Sequence, residues 1–343
     1  MKSDAAEQRI QSLPQIVHDP ALNTYLKNLT CKLAAEYCND IRVYIVNVPD
    51  FNASMSPNGM LVVYTGTLLR CDNEAQLAFV LAHEIAHFKL RHALARYRAG
   101  RDDASAMYIF TVVTLGVGAI IAQLGMAGDF MSYSRDQERE ADAAGFDIAT
   151  ARGYDPREAA RLWTNVAAED AADPTASKRG AFTSSHPAPT ERLNTMTQKA
   201  DALAGQRTDW ILATDDLRKQ VTPWRDKWMA ETLAAEDSGA FLTVLNRMAS
   251  IEPHSGMVQY YIGETYRRRN TDGDIDRART AYQTAIADND EPAAAFKGLG
   301  IVEMKSGHNA AAREAFDKYL SFAPAADDHA MVEYYKSRLG DTP

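Results

Sequence analysis

The chain has 343 residues and a mass of 37.8 kDa, with 46% hydrophobic, 24% charged and 9% aromatic residues. This is a globular composition that excludes a disordered chain, a collagen and a small disulfide scaffold. A net charge of −9 and a pI of about 5.4 argue against a broad polyanion-binding face, so no nucleic acid partner is expected; the mean hydropathy of −0.35 excludes a polytopic membrane protein.

The first six residues hold no apolar run. The expectation is therefore a cytoplasmic protein, or a chain that begins where a leader was removed. Leu22, Tyr25, Leu26, Leu29, Leu33 and Ala34 recur at helical spacing and predict a helix over 20–37. Cys31 and Cys38 flank its end, seven positions apart, about 10 Å at about 1.5 Å per residue, which is beyond disulfide reach unless the helix unwinds before Cys38. With Cys71 they are the three cysteines of the chain, and no C-x-x-C pair suggests a thiolate site. Alternating β-branched residues over 41–48 and an apolar run over 60–64 predict two paired strands, with Ser56-Pro57-Asn58-Gly59 as the turn before the second.

Asp72 is the expected N-cap of a helix that carries Leu77, Val80, Leu81, Ile85 and Phe88 and runs to about Arg98, where Gly100 ends it. Inside it stands His83-Glu84-Ile85-Ala86-His87. Positions i and i+4 put both imidazoles on one helix face, close enough to hold one Zn2+, and Glu84 projects beside them toward the attacking water. His92, five residues beyond His87, is about 140° around such a helix and receives no metal role.

A second helix is expected over 134–150, stopped by Gly153 and Pro156, and it opens Ser134-Arg135-Asp136-Gln137-Glu138-Arg139-Glu140-Ala141-Asp142. A catalytic zinc needs a third protein ligand and an open position, and Glu138 is the choice for the ligand. Asp142, one turn on, shares its face and can accept the second ring N–H of a ligating histidine. Glu140 is about 200° around the helix from Glu138 and is rejected. Helices over 156–168 and 190–204 follow, with a polar loop over 169–185 between them.

The last third repeats itself. Ala278, Tyr282 and Ala285 recur 34 residues later as Ala312, Phe316 and Tyr319, and Ile262-Gly263 is echoed by Leu299-Gly300. That is the period of tetratricopeptide helix pairs, with a weaker unit around Phe241, Leu245 and Met248. The fold class is α+β, predominantly α: a metallopeptidase domain with a small sheet over 1–204, then an all-α repeat domain over 205–343.

Together these motifs resemble the M48 zinc metallopeptidases, within the gluzincin group. The match runs over residues 15–200 and includes Asn52-Ala53, Pro57-Asn58-Gly59, Asn73-Glu74-Ala75-Gln76, both metal motifs, His186-Pro187 and Glu191-Arg192. With the repeat tail, the chain is most similar to the periplasmic β-barrel assembly-enhancing type of that family. The resemblance implies one Zn2+ held by His83, His87 and Glu138, Glu84 as base, and Asp142 behind a ligand. It further implies that His186 can occupy the open zinc position as a latch, and that Arg192 or His186 supplies an oxyanion or substrate contact. Implied partners are protein or peptide substrates, including misfolded or unassembled envelope proteins, and an envelope assembly complex reached through the repeats. The implied location is the periplasm, after loss of a leader. The competing reading is a repeat-scaffold chaperone or quality-control adaptor with a latched or vestigial zinc site; every residue needed for hydrolysis is present, which favours the enzyme. Residues near Asn52 and Met60 are expected at a sheet edge that aligns an extended substrate.

The stretch that begins at Met107 and ends at Ala127 holds 21 residues without a charge, long enough to cross a bilayer core of about 30 Å. A single crossing would leave His87 and Glu138 on opposite sides of the membrane. The stretch is therefore expected to fold back as a lid over the active-site helix, with a peripheral membrane contact as the alternative.

Overall fold

The structure is a computed structural model and describes residues 2–99, 133–173, 189–235, 237–288 and 292–340. It divides into two compact units, Met1–Thr232 and Leu233–Pro343.

The first unit opens with α1 (Lys2–Gln11) and α2 (Pro20–Ala34). Asp19 caps α2 by accepting from the Leu22 N–H at 2.7 Å, and Pro20 stands at the first helical position, where a missing N–H costs nothing. The helix ends three residues before its expected end. Ala35 takes φ +55° and a 3-10 turn spans Ala35–Asp40. This unwinding corrects the cysteine expectation: Cys31 and Cys38 come to a Cα separation of 4.4 Å and form a disulfide. Cys71 is buried and free.

Three strands follow, β1 (Arg42–Val46), β2 (Ala53–Met55) and β3 (Met60–Tyr64), in the order β1-β3-β2. β3 is parallel to β1 and antiparallel to β2, with Arg42 opposite Met60 and Ala53 opposite Val63. All five residues of β3 are buried, as expected for a central strand covered on both faces. Met60 is thus interior to the sheet, contrary to the edge expected for it, and β2, with Asn52 just before it, is an edge strand. Gly59 closes the β2–β3 turn at φ +85°, and a Cβ there would lie 2.0 Å from the Asp40 carbonyl oxygen, so only glycine fits. Ile10, Leu13, Val46, Val48, Met60, Val62 and Tyr64 form the core beneath the sheet.

After α3 (Thr65–Arg70) comes α4 (Glu74–Lys89), buried from Glu74 to His87. Its N-cap is Asn73 rather than Asp72: the Asn73 side chain accepts from the Gln76 N–H at 2.9 Å. Asn73 Nδ2 and Gln76 Nε2 both donate to the buried Glu158, and Glu74 accepts from Tyr25 and Tyr154 hydroxyls at 2.7 and 2.6 Å. These bonds fix the helix start, as buried polar groups require. α4 does not run on to Arg98. Arg91 adopts φ +56°, and a separate helix α5 (His92–Ala99) begins beyond it.

α6 (Arg135–Ala151) starts with a capping box between Ser134 and Gln137. α7 (Arg157–Ala172) extends past the expected loop boundary because Glu169, within it, is buried and receives a 2.7 Å hydrogen bond from Arg70 Nε. α8 (Pro189–Ala202) and α9 (Thr214–Ala235) follow.

The second unit holds α10 (Ser238–Ile251), α11 (Gly256–Arg269), α12 (Asp274–Ala287), α13 (Ala293–Lys305), α14 (Asn309–Phe322) and α15 (His329–Arg338). α11 packs on α12 and α13 on α14. Gly263 and Gly298 contact the ring of Tyr282, where an added Cβ would lie 2.6 and 2.5 Å from ring carbons, and Gly300 meets Phe316 in the same way. Small residues here set the helix spacing, and Tyr282 and Phe316 fill two successive apolar layers. No helix among the described residues is long and apolar enough to cross a membrane. The apolar stretch 107–127 lies outside them, as do 174–188 and with them His186 and most of the expected 169–185 loop.

Candidate metal centre

α4 supplies His83, Glu84 and His87, and α6 supplies Glu138, Asp142 and the glycine that lets the two helices meet. A Cβ on Gly145 would stand 2.8 Å from the His83 backbone nitrogen and 2.9 Å from its Cα. Glycine is thus what allows α6 to lie directly on the metal-motif turn of α4. All five polar side chains are buried, between 1% and 5% exposed.

His83 Nε2 and His87 Nε2 face each other at 3.0 Å, and the Glu138 carboxylate lies 3.5 Å from each. One donor atom from each of the three falls within 4.8 Å of the others. His83 Nδ1 is 3.0 Å from Asp142 Oδ1. With the ring proton on Nδ1 and donated to Asp142, Nε2 is left bare and turned toward the other two donors. Two imidazole nitrogens and a carboxylate converging in this way fit a divalent cation. Their spacing is close to the roughly 3.3 Å that two ligands at 2.0–2.1 Å subtend around a tetrahedral zinc.

Arg192, on α8, holds the carboxylates from behind. Its Nε donates to Asp142 Oδ2 at 2.7 Å, Nη2 donates to Oδ1, and Nη1 is 3.4 Å from Glu138 Oε2. The guanidinium carbon lies 3.7 Å from the centroid of the Trp163 ring. Burial raises the Asp142 carboxyl, but Arg192 and His83 outweigh it and bring its pKa down to about 2. Glu84 behaves in the opposite way: burial, and next the charge of Glu138, push it well above the usual carboxylate range, against Arg192 and a hydrogen bond from the Met55 backbone. Met55 belongs to the edge strand β2, so that edge borders the Glu84 carboxylate.

Sequence reasoning brought His83, Glu84, His87, Glu138, Asp142 and Arg192 to one place. It discarded two residues that the structure puts beside them. His92 is 4% exposed, and its Nδ1 lies 2.9 Å from His87 Nδ1; its Nε2 is 3.1 Å from Glu140 Oε2. The 140° rotation assumed an unbroken helix, and the turn at Arg91 cancels it. Tyr133 stacks on His87 at 3.9 Å with 17° between the rings, and Trp163 and Gly145 were likewise unforeseen. A glycine inside a strong helical pattern was the one available signal for close approach.

The sequence model of peptidase family M48 matches residues 18–200. Similar curated proteins include the putative beta-barrel assembly-enhancing protease of Vibrio cholerae, 29% identical over 212 residues, which cover 57% of this chain and 43% of that one. The beta-barrel assembly-enhancing protease of Yersinia pestis is 27% identical over 202 residues, 55% of this chain and 41% of the relative. The mitochondrial metalloendopeptidase OMA1 of Schizosaccharomyces pombe is 31% identical over 151 residues, 44% of each chain. The chain thus spans less than half the length of the curated relatives it matches.

Proposed function

The chain belongs to peptidase family M48, and from that premise we propose that it is a zinc-dependent endopeptidase acting on unfolded or unassembled proteins of the cell envelope. The carrying observation is the convergence of His83 Nε2, His87 Nε2 and the Glu138 carboxylate, with the buried Glu84 next to His83 in sequence and shielded from water. His83, His87 and Glu138 hold the ion. Zinc, when bound, would supply a Lewis acid for the attacking water and the scissile carbonyl, and its charge would offset that of Glu138 beside Glu84.

Glu84 takes the proton of the attacking water and delivers it to the leaving amine. Asp142 keeps the proton of His83 on Nδ1, and Arg192 fixes Asp142 and Glu138 in turn. With Nε and Nη2 bonded to Asp142 and Nη1 3.4 Å from Glu138, Arg192 acts as a positioning residue rather than as the oxyanion donor. The β2 edge at Ala53–Met55 aligns an extended substrate by backbone pairing beside Glu84. The helix pairs of Leu233–Pro343 recruit substrate or an assembly partner, as tetratricopeptide-like repeats do. The Cys31–Cys38 disulfide suits an oxidising compartment such as the periplasm.

The test is cleavage of an unfolded protein such as reduced casein before and after removal of metal by a chelator. Activity lost on chelation and restored by one equivalent of zinc supports the reading, provided that Glu138→Gln shows neither zinc binding nor activity. Activity indifferent to chelation refutes it.

A further inference from the structure

The structure assigns His92 and Glu140 to the metal centre as a relay that fixes the proton of His87, the counterpart of what Asp142 does for His83. This assignment rests on His87 being a metal ligand.

The two rings meet through one pair of atoms, and each proton position follows from the one before. His87 turns Nε2 to His83 and Glu138, and as the nitrogen that ligates the ion it carries no proton, so the ring proton sits on Nδ1. His87 Nδ1 lies 2.9 Å from His92 Nδ1, so His92 accepts there. The His92 proton is then on Nε2, which lies 3.1 Å from Glu140 Oε2 and donates to it. Reversing either ring would bring two N–H groups, or two bare nitrogens, face to face.

His92 itself does not ligate, because it approaches His87 on the side of the ring opposite the ligating nitrogen. It is a positioning residue. A carboxylate at the end of the chain makes His92 a better acceptor and His87 a more basic ligand. Three features hold the geometry. Arg91 at φ +56° turns the chain out of α4, a conformation a non-glycine residue adopts at a cost and which recurs at functional sites. Tyr133 stacks on the face of the His87 ring, and its ring centroid is 6.1 Å from that of His92. Glu140 leaves the α6 face that carries Glu138 and Asp142, and so reaches His92 rather than His83. The two ligating imidazoles are thereby each tied to a carboxylate of α6, His83 directly and His87 through one intervening ring.

The experiment measures zinc affinity by chelator competition on the full chain, for wild type, His92→Phe, His92→Asn and Glu140→Ala. Phenylalanine keeps the ring and removes the acceptor; the asparagine oxygen restores an acceptor near the place of Nδ1. The expected result is zinc binding weakened about 10–100-fold by His92→Phe and about tenfold by Glu140→Ala. His92→Asn should stay within a few-fold of wild type. On the zinc-loaded protein with 15N-labelled histidine, a protected His87 Nδ1–H resonance is expected in wild type and absent in His92→Phe. Glu140 is largely exposed, so its variant keeps the test alive if His92→Phe does not fold. Wild-type affinity in His92→Phe or in Glu140→Ala, or His92→Asn binding no better than His92→Phe, overturns the relay. Failure of the wild type itself to bind zinc refutes the metal centre instead.

Discussion

Substituting Gly145 with alanine tests whether contact between α4 and α6 builds the site. The added Cβ would stand 2.8 Å from the His83 nitrogen, 2.9 Å from its Cα and 3.1 Å from the Ala82 carbonyl carbon, all backbone atoms that cannot rotate away. Ordinary contact between such atoms begins near 3.4–3.5 Å, so the helices must part by about 0.6 Å. Overpacking of this kind costs roughly 1–3 kcal/mol, while replacing a mid-helix glycine with alanine returns up to about 1 kcal/mol. The net expectation is a loss of about 1–2 kcal/mol, a fall in melting temperature of roughly 2–8 °C for a unit of this size. Metal binding should suffer more than stability, because ligand positions tolerate about 0.2 Å and Glu138 and Asp142 move with α6. Zinc affinity should drop at least about tenfold. Calorimetry of the metal-free protein and chelator competition read the two effects separately. A variant that is more stable than wild type and binds zinc equally well would refute the close-approach argument.

Other consequences are as specific. Arg192→Lys keeps the charge but loses the two-pronged grip on Asp142, so zinc affinity should fall about tenfold; unaltered affinity would show that Arg192 does not hold Asp142. The Cys31–Cys38 bridge closes a loop of about eight residues, worth up to roughly 2.5 kcal/mol of chain entropy. Reduction or the Cys31→Ser, Cys38→Ser double variant should lower the melting temperature of the first unit, and thiol titration of the denatured, unreduced chain should find one free cysteine rather than three. In the second unit Asp274 is buried, and hydrogen bonds from Arg269 first, then from Thr271 and Arg277, hold its carboxyl well below the usual range. A folded-state pKa below the unfolded one gives stability that is fully present above about pH 3.9 and is lost as pH falls through the folded value. Hydrogen exchange over Gly256–Arg269 and Asp274–Ala287 should accelerate about tenfold or more in Asp274→Ala at neutral pH; equal protection would show that the carboxylate adds nothing.

The parts of the site that were legible in the sequence are those written in helical periodicity. His83 and His87 share a face by spacing alone, and Glu138 and Asp142 do the same on the next strong helix. What stayed hidden depends on where the chain leaves regular geometry. Arg91 and Ala35 both take positive φ without being glycine, a choice made by tertiary packing that local preference disfavours. The first break brings His92 between His87 and Glu140, and the second brings Cys31 to Cys38. The choice of Asn73 over Asp72 as N-cap depends on Glu158, more than eighty residues away. Likewise, the partnership of β3 with both neighbours depends on a parallel pairing that no local pattern announces.

The most direct test of the central claim pairs metal content with turnover for wild type and Glu84→Gln. Both proteins should carry one zinc per chain, because Glu84 is not among the three ligands. Cleavage of an unfolded protein should fall about 10²–10⁴-fold in the variant, the usual share of a positioned general base. Equal cleavage by the two proteins, with zinc bound in both, would contradict the account.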